Sequence, residues 1–150
     1  MVDSRIEAIA IRPESRGAMT ELTEAQVTPQ DGVIGDFRRG VGPRQVTVLA
    51  VEAWRATCAD LGTDLPWLLR RANLLVRGIN LADTAGAHLR IGEIILQVTG
   101  ETKPCGRMDE QQPDLRQALV PDWRGGVCCR VQTGGTVRIA DRVALEPARG

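Results

Sequence analysis

Hydrophobic residues along this chain change period over short distances. Ile6, Ala8 and Ala10 alternate with Glu7, Ile9 and Ile11, which predicts a short strand apolar on both faces, ended by Pro13. Between residues 15 and 28 the pattern is weak, and Val27 is the best position for a second strand. Arg44-Gln45-Val46-Thr47-Val48-Leu49-Ala50 predicts a strand; Val51, Trp54, Cys58 and Leu61 then fall at helical spacing up to Gly62. That spacing assigns Trp54 and Cys58 to the core. Asp64 as cap and Pro66 in the first turn predict a second short helix through Trp67, Leu68 and Leu69, and Leu74-Leu75-Val76 predicts a buried strand. Residues 79–96 read as short strands joined by turns at Gly86 and Gly92, with one strand over 93–98. Residues 113–119 predict a short helix with Pro113 near its start. Residues 127–132 and 137–143 predict two strands paired through a tight turn at Gly134-Gly135. Many short strands, glycine turns and few helices predict a mainly β, barrel-like fold, one domain over residues 1–150.

Composition narrows the function classes. Formal net charge is +0 and the pI is about 6.6, so no global field draws the chain to nucleic acid or an anionic membrane. No stretch approaches the roughly 18 apolar residues of a membrane span, and the N-terminal residues carry no apolar signal-peptide core. Cys58, Cys105, Cys128 and Cys129 do not form a secreted disulfide framework, so a cytoplasmic protein with free thiols is expected. Adjacent Cys128 and Cys129 point to opposite faces of a strand. Among the basic residues Lys103 is the only lysine. An arginine excess fits either a coding bias or recognition of oxyanions, which guanidinium groups bind bidentately.

Two irregular stretches carry the candidate chemistry. Residues 30–43 hold four glycines, a proline and paired arginines, a long loop of the kind that often carries function. In Thr99-Gly100-Glu101-Thr102-Lys103-Pro104-Cys105-Gly106-Arg107-Met108-Asp109, Pro104 and Gly106 break regular structure and leave Cys105 between two cations. Positive neighbours favour the thiolate, which is both nucleophile and metal ligand. Lone cysteines otherwise serve as small buried hydrophobes, usually on strands and helices. His88, the only histidine, has no triad partner at motif spacing and is assigned a structural role. A zinc site is disfavoured because the cysteines lack paired Cys-x-x-Cys spacing.

From Gly32 to Val143 the chain resembles the MOSC family, named for the C-terminal domain of molybdenum cofactor sulfurase, in its standalone bacterial form. The resemblance rests on Gly35-Asp36, Arg44-Gln45-Val46-Thr47-Val48-Leu49, Glu52-Ala53, Arg71-Ala72-Asn73-Leu74, Gly78, Gly92-Glu93, Lys103-Pro104-Cys105-Gly106-Arg107-Met108, Gly125-Gly126-Val127 and Gly134-Gly135, in family order. It implies a bent MOSC-type β-barrel with a few short helices. It also implies that Cys105 is the site residue: in relatives resembling the mitochondrial amidoxime reducing component it ligates molybdenum held by a pterin cofactor. Arg71 and Asn73 match residues that hold that cofactor, Arg107 matches the arginine after the ligand cysteine, and Arg44 and Gln45 match a strand start near the cofactor. Phe37-Arg38 stands where the family often has Arg-His after Gly-Asp. The separate N-terminal β-barrel domain of larger reductases is not expected here.

Three functions follow from the resemblance. The first is an oxidoreductase that uses the molybdenum cofactor (molybdopterin) to reduce N-hydroxylated small molecules, with electrons from a redox partner protein. The second is a carrier, either of sulfur as a persulfide on Cys105, loaded by a sulfur-donor protein, or of the cofactor itself. The third is a non-catalytic structural domain. Guanidinium forks and an amide suit a phosphate-ended pterin, and a thiolate suits a metal already bound by sulfur.

Overall fold

The apolar runs become strands in a computed structural model that describes residues 3–14, 17–37, 40–106 and 108–148. The first part gives β1 (Arg5–Ile11), β2 (Thr20–Leu22), β3 (Glu24–Thr28) and β4 (Gly32–Val33). Next come β5 (Val46–Ala50), helix α1 (Val51–Leu61), a 3₁₀ turn (Trp67–Arg70), β6 (Leu74–Arg77), β7 (His88–Ile91) and β8 (Ile94–Glu101). The last part contains α2 (Met108–Gln111), α3 (Leu115–Leu119), a 3₁₀ turn (Pro121–Trp123), β9 (Val127–Thr133), β10 (Gly135–Arg138) and β11 (Val143–Glu146). The described residues are mainly β with three short α-helices.

Eight strands form one sheet in the order β11-β7-β8-β9-β5-β6-β1-β2, and three form a second, β10-β3-β4. Only β5 and β6 run parallel; α1 and the first 3₁₀ turn supply the crossover that parallel neighbours require. Register shifts within β1–β6 and β8–β9 bend the large sheet, as bulges do. The bend brings its far ends together: Ile6 donates to the Asp141 carbonyl, Ala140 donates to the Ile6 carbonyl, and Arg5 bridges to Arg142. The ladder keeps two ends, at β11 and β2, so the pairing is that of a curled sheet. Ile9, Val46, Leu74, Leu89, Ile94 and Cys129 are fully buried inside the curl. A second cluster, with Leu49, Trp54, Cys58, Leu115 and Leu119, seats α1 and α3 on the outside. Trp54 and Cys58 thus lie in the core, as their spacing requires.

Several expectations change. The strands around Gly134-Gly135 do not form a hairpin, because β9 is paired on both sides, by β8 and β5, and has no free edge. β10 pairs instead with β3, and Gly134 allows the crossing: a Cβ there would sit 2.6 Å from the Val27 carbonyl oxygen. The expected second helix is a four-residue 3₁₀ turn whose N-cap is Pro66, with no side-chain cap from Asp64. Arg71 adopts the left-handed conformation (φ 59°) and stops it. β8 continues through Thr99, Gly100 and Glu101, beyond the end of its period-two pattern, because β9 still offers partners there. Among the described residues, no helix is long and apolar enough to cross a membrane.

Candidate functional site

The bulge near Gly100 turns the end of β8, and the chain leaves it at Thr102 without regular structure. Thr102 is fastened at three atoms. Its N–H donates to the Gly126 carbonyl (2.9 Å), its carbonyl accepts from Arg70 Nη2 (2.9 Å), and its Oγ1 lies 3.1 Å from Cys128 Sγ. Pro104 and Gly106 keep the following residues from resuming a strand, so Cys105 stands exposed beyond this anchor. The loop closes when the Cys105 carbonyl accepts the Met108 N–H (3.0 Å) and α2 begins.

Facing the loop is a cleft of about 720 Å³, within the range of small-molecule sites. Among the described residues its walls hold five cationic side chains (Arg12, Arg44, Arg70, Arg71 and Lys103) against two carboxylates, Asp36 and Glu110, with Cys105 and Cys128 as its thiols. A protein neutral overall has concentrated positive charge at one concavity, where field lines focus on an anion.

Arg70 is the buried member of that set, 8% exposed. Its Nε donates to the Gly125 carbonyl (3.1 Å) and its Nη2 to that of Thr102. Burial lowers its pKa from the usual arginine value, the two cysteine sulfurs oppose that shift, and Arg44 adds to it. Gly125 makes room for the guanidinium: a Cβ there would lie 2.5 Å from the Thr102 carbonyl oxygen and 3.0 Å from Arg70 Nη2. Sequence reasoning passed over Arg70. The usable signal was a glycine pair, Gly125-Gly126, following a strand-poor segment: a pair that a close packing partner would require.

The predicted residues divide. Cys105, Arg71, Asn73 and Arg44 all line the cleft. Arg71 and Arg44 are exposed there and offer their guanidinium groups to a ligand. Asn73 is buried and its amide is committed. Oδ1 accepts from Thr47 N–H (3.0 Å) and Thr47 Oγ1 (3.2 Å); Nδ2 donates to the Ala10 carbonyl (3.2 Å) and Asp36 Oδ1 (3.4 Å). Its place is that of a pin joining β1, β5 and the Asp36 loop. Gln45 is not brought to the cleft wall. It is buried, Nε2 donating to the Pro29 and Gly40 carbonyls and Oε1 accepting from Val131 N–H. Arg107 lies outside the described residues. His88 pairs across β7 with Gln97 and Glu146 and does not line the cleft.

Asp36 of the Gly35-Asp36 motif is buried and accepts the Arg12 N–H (2.8 Å), while the Arg12 guanidinium stacks over Phe37, 4.1 Å from the ring centre. One atom of a cleft-lining residue stands out. Gln111 Oε1 is buried and, among the described residues, has no hydrogen-bond partner. Buried polar atoms are nearly always paired, so an orphan acceptor in a cleft marks a place for a ligand N–H. Among the described residues no three His, Cys, Asp or Glu side chains gather as a metal set. A metal at Cys105 would therefore need further donors from outside these residues, as a sulfur-bearing cofactor supplies. A phosphate for the guanidinium groups, N–H edges for Gln111 and a soft metal for Cys105 match the donor set present.

The family model for the MOSC domain matches residues 35–144. Among solved structures, the YuaD protein from Bacillus subtilis is 19% identical with a TM-score of 0.83, over 99% of this chain and 100% of that one. YiiM from Geobacillus stearothermophilus is 18% identical (TM-score 0.74; 95% and 74% of the two chains), and YiiM from Escherichia coli 19% identical (0.69; 94% and 69%). At these identities the likeness is one of fold. No curated protein sequence matches the chain.

Proposed function

The chain belongs to the MOSC domain family, and on that premise we propose that it binds a molybdenum–pterin cofactor in the cationic cleft and reduces N-hydroxylated small molecules. One observation carries this reading: five cations and an exposed thiol, Cys105, converge on one cleft that also holds the orphan acceptor of Gln111. Arg71, Arg44 and Lys103 would hold the cofactor phosphate through charge-assisted bonds, with Arg70 behind them as a fixed positive wall. Gln111 Oε1 would accept an N–H of the pterin edge, and Cys105 would bind the metal through its thiolate. Asn73 is a positioning residue in this scheme, holding the Arg71 turn against β1 and β5. When bound, the cofactor supplies two-electron redox chemistry. The net reaction takes an N–OH group, two electrons and two protons to N–H and water, with electrons from a redox partner protein in the cytoplasm. The curled sheet stands behind the cleft as its wall.

The test is analysis of protein purified from a host that makes molybdopterin. Molybdenum and pterin are expected in near-equal amounts. Cys105→Ser, which exchanges a soft sulfur for a hard oxygen of similar size, is expected to lose amidoxime reduction while keeping its pterin and its melting temperature. Protein that takes up neither metal nor pterin would refute the proposal.

A second reading, sulfur carriage by a persulfide on Cys105, is favoured by a separate observation: a second sulfur, Cys128, lines the same cleft.

A further inference from the structure

The four cysteines are not equivalent. Cys58 is buried on α1 with its thiol turned to the Leu65 carbonyl (3.9 Å). Cys129 is fully enclosed in the sheet interior, where burial pushes its thiol far up. Alternation along β9 sends Cys128 to the opposite face, and there its sulfur lines the cleft with Cys105.

The two sulfurs share their surroundings. Thr102, whose hydroxyl lies 3.1 Å from Cys128 Sγ, is the root of the loop that carries Cys105. Three residues of chain span at most about 10 Å, so the Cα of Cys105 lies within about that distance of the Cα of Thr102, whose hydroxyl meets Cys128 Sγ. A disulfide needs Cα atoms within about 7 Å of each other, a separation such a tether allows. Gly106 adds freedom just past Cys105, and in the described chain the Cys105 side chain makes no hydrogen bond that would hold it outward. Arg70, fixed by the Gly125 and Thr102 carbonyls, acts electrostatically on both sulfurs. Two cleft-lining thiols beside one anchored cation form a dithiol site, whereas Cys58 and Cys129 are out of reach.

We infer that Cys128 is the discharging thiol of Cys105: its thiolate attacks the Cys105 sulfur of a Cys105 persulfide, a Cys105–Cys128 disulfide forms, and the outer sulfur leaves as hydrosulfide. This step rests on the sulfur-carrier reading. It balances without an outside oxidant. The Cys105 S–S bond to the outer sulfur breaks as the S–S bond to Cys128 forms, the outer sulfur departs with the bonding pair, and a proton from the Cys128 thiol goes to solvent. A small dithiol reductant returns the disulfide to two thiols. The bound cargo is sulfane sulfur, and the product is the sulfide anion held next to the cationic wall of the cleft.

The experiment loads the full chain with inorganic polysulfide, removes the excess, and follows hydrosulfide release together with intact and peptide masses under non-reducing conditions. Wild type is expected to release hydrosulfide and end with a Cys105–Cys128 linked peptide pair. Cys128→Ser, which keeps a hydroxyl beside Thr102 Oγ1, is expected to retain one added sulfur on Cys105 and release it slower by about tenfold or more. Cys128→Ala is made in parallel, with circular dichroism confirming that each variant is folded. Sulfur uptake on Cys105 followed by equally fast release from both Cys128 variants would overturn this step alone. No sulfane sulfur on Cys105 in any of the proteins would overturn the carrier reading and this step with it.

Discussion

Replacing Asn73 by alanine is expected to destabilise the cofactor-free protein, because the side chain joins three parts of the fold before any ligand arrives. Its amide engages Thr47 twice and the Ala10 carbonyl once at 3.2 Å or less, with a longer contact to Asp36. Alanine leaves the N–H of half-buried Thr47 without this acceptor. An orphaned donor costs about 1–3 kcal/mol and each further net bond about 1 kcal/mol, which puts the loss near 3 kcal/mol. For a domain of this size each kcal/mol moves the melting temperature by about 2–4 °C, so a fall of about 6–12 °C is expected. Urea titration supplies the free energy and a thermal scan the midpoint, both on protein from a host that makes no molybdopterin. Asn73→Asp is the control: it keeps the acceptor for Thr47 but places a second carboxylate oxygen against Asp36 and the Ala10 carbonyl, so it should be no better than alanine. The reasoning fails if Asn73→Ala unfolds within about 0.5 kcal/mol of wild type, the range of ordinary surface changes. Asn73 would then belong among the ligand-binding groups rather than the pins.

Other outcomes follow from the same geometry. Arg71→Gly should leave stability unchanged or raise it by about 0.5–1 kcal/mol, since glycine accepts the left-handed backbone that Arg71 holds; pterin retention should fall at the same time, and parallel losses in both would contradict a ligand-facing role. Gly125→Ala should cost about 2–4 kcal/mol by displacing Arg70 from its two carbonyl partners; chemical denaturation showing no change would mean that the guanidinium has another seat. In the folded cofactor-free protein an alkylating reagent should label Cys105 first, because it is the exposed thiol, and Cys129 only on unfolding, read by peptide mass. Under denaturing conditions, after the Cys105–Cys128 pair has been returned to thiols, Cys58 and Cys129 should titrate as free; a disulfide involving either of them in freshly purified protein would speak against a reducing compartment.

The parts of the fold that could be read from the sequence are those fixed by neighbours along the chain. β5, α1 and the Gly62 stop depend on local periodicity and a left-handed cap, and they stand where the pattern puts them. Cys105 was recognisable because Pro104 and Gly106 announce an irregular backbone around it. Gln45 was not. Its amide is spent on Pro29, Gly40 and Val131, partners that only the folded chain assembles. The Gly134-Gly135 turn was misread for a related reason: local turn chemistry suits a hairpin, but β9 had both edges occupied by strands distant in sequence. Arg70 was hidden by its neighbour, since Arg70-Arg71 gives no sign of which guanidinium is buried. Burial of a charge is decided by the carbonyls that meet it, and those belong to Thr102 and Gly125.

The curled sheet also sets the order in which this protein can fold. β1 is the first strand made, yet its Ile6 backbone exchanges hydrogen bonds with residues 140 and 141, and β3 waits for β10. Contacts of such sequence separation bring chain-closure entropy ahead of any reward, and domains built on them fold in milliseconds to seconds rather than microseconds. During synthesis β1 can pair with β2 and then β6, but the backbone groups of Ile6 stay open until residues 140 and 141 leave the ribosome. The cleft walls at residues 70–73 and 102–105 come together only through Gly125 and the start of β9, where Cys128 completes them. A ligand that needs the finished cleft therefore binds only once β9 is in place, and a truncation within β9 should leave no partial site to load.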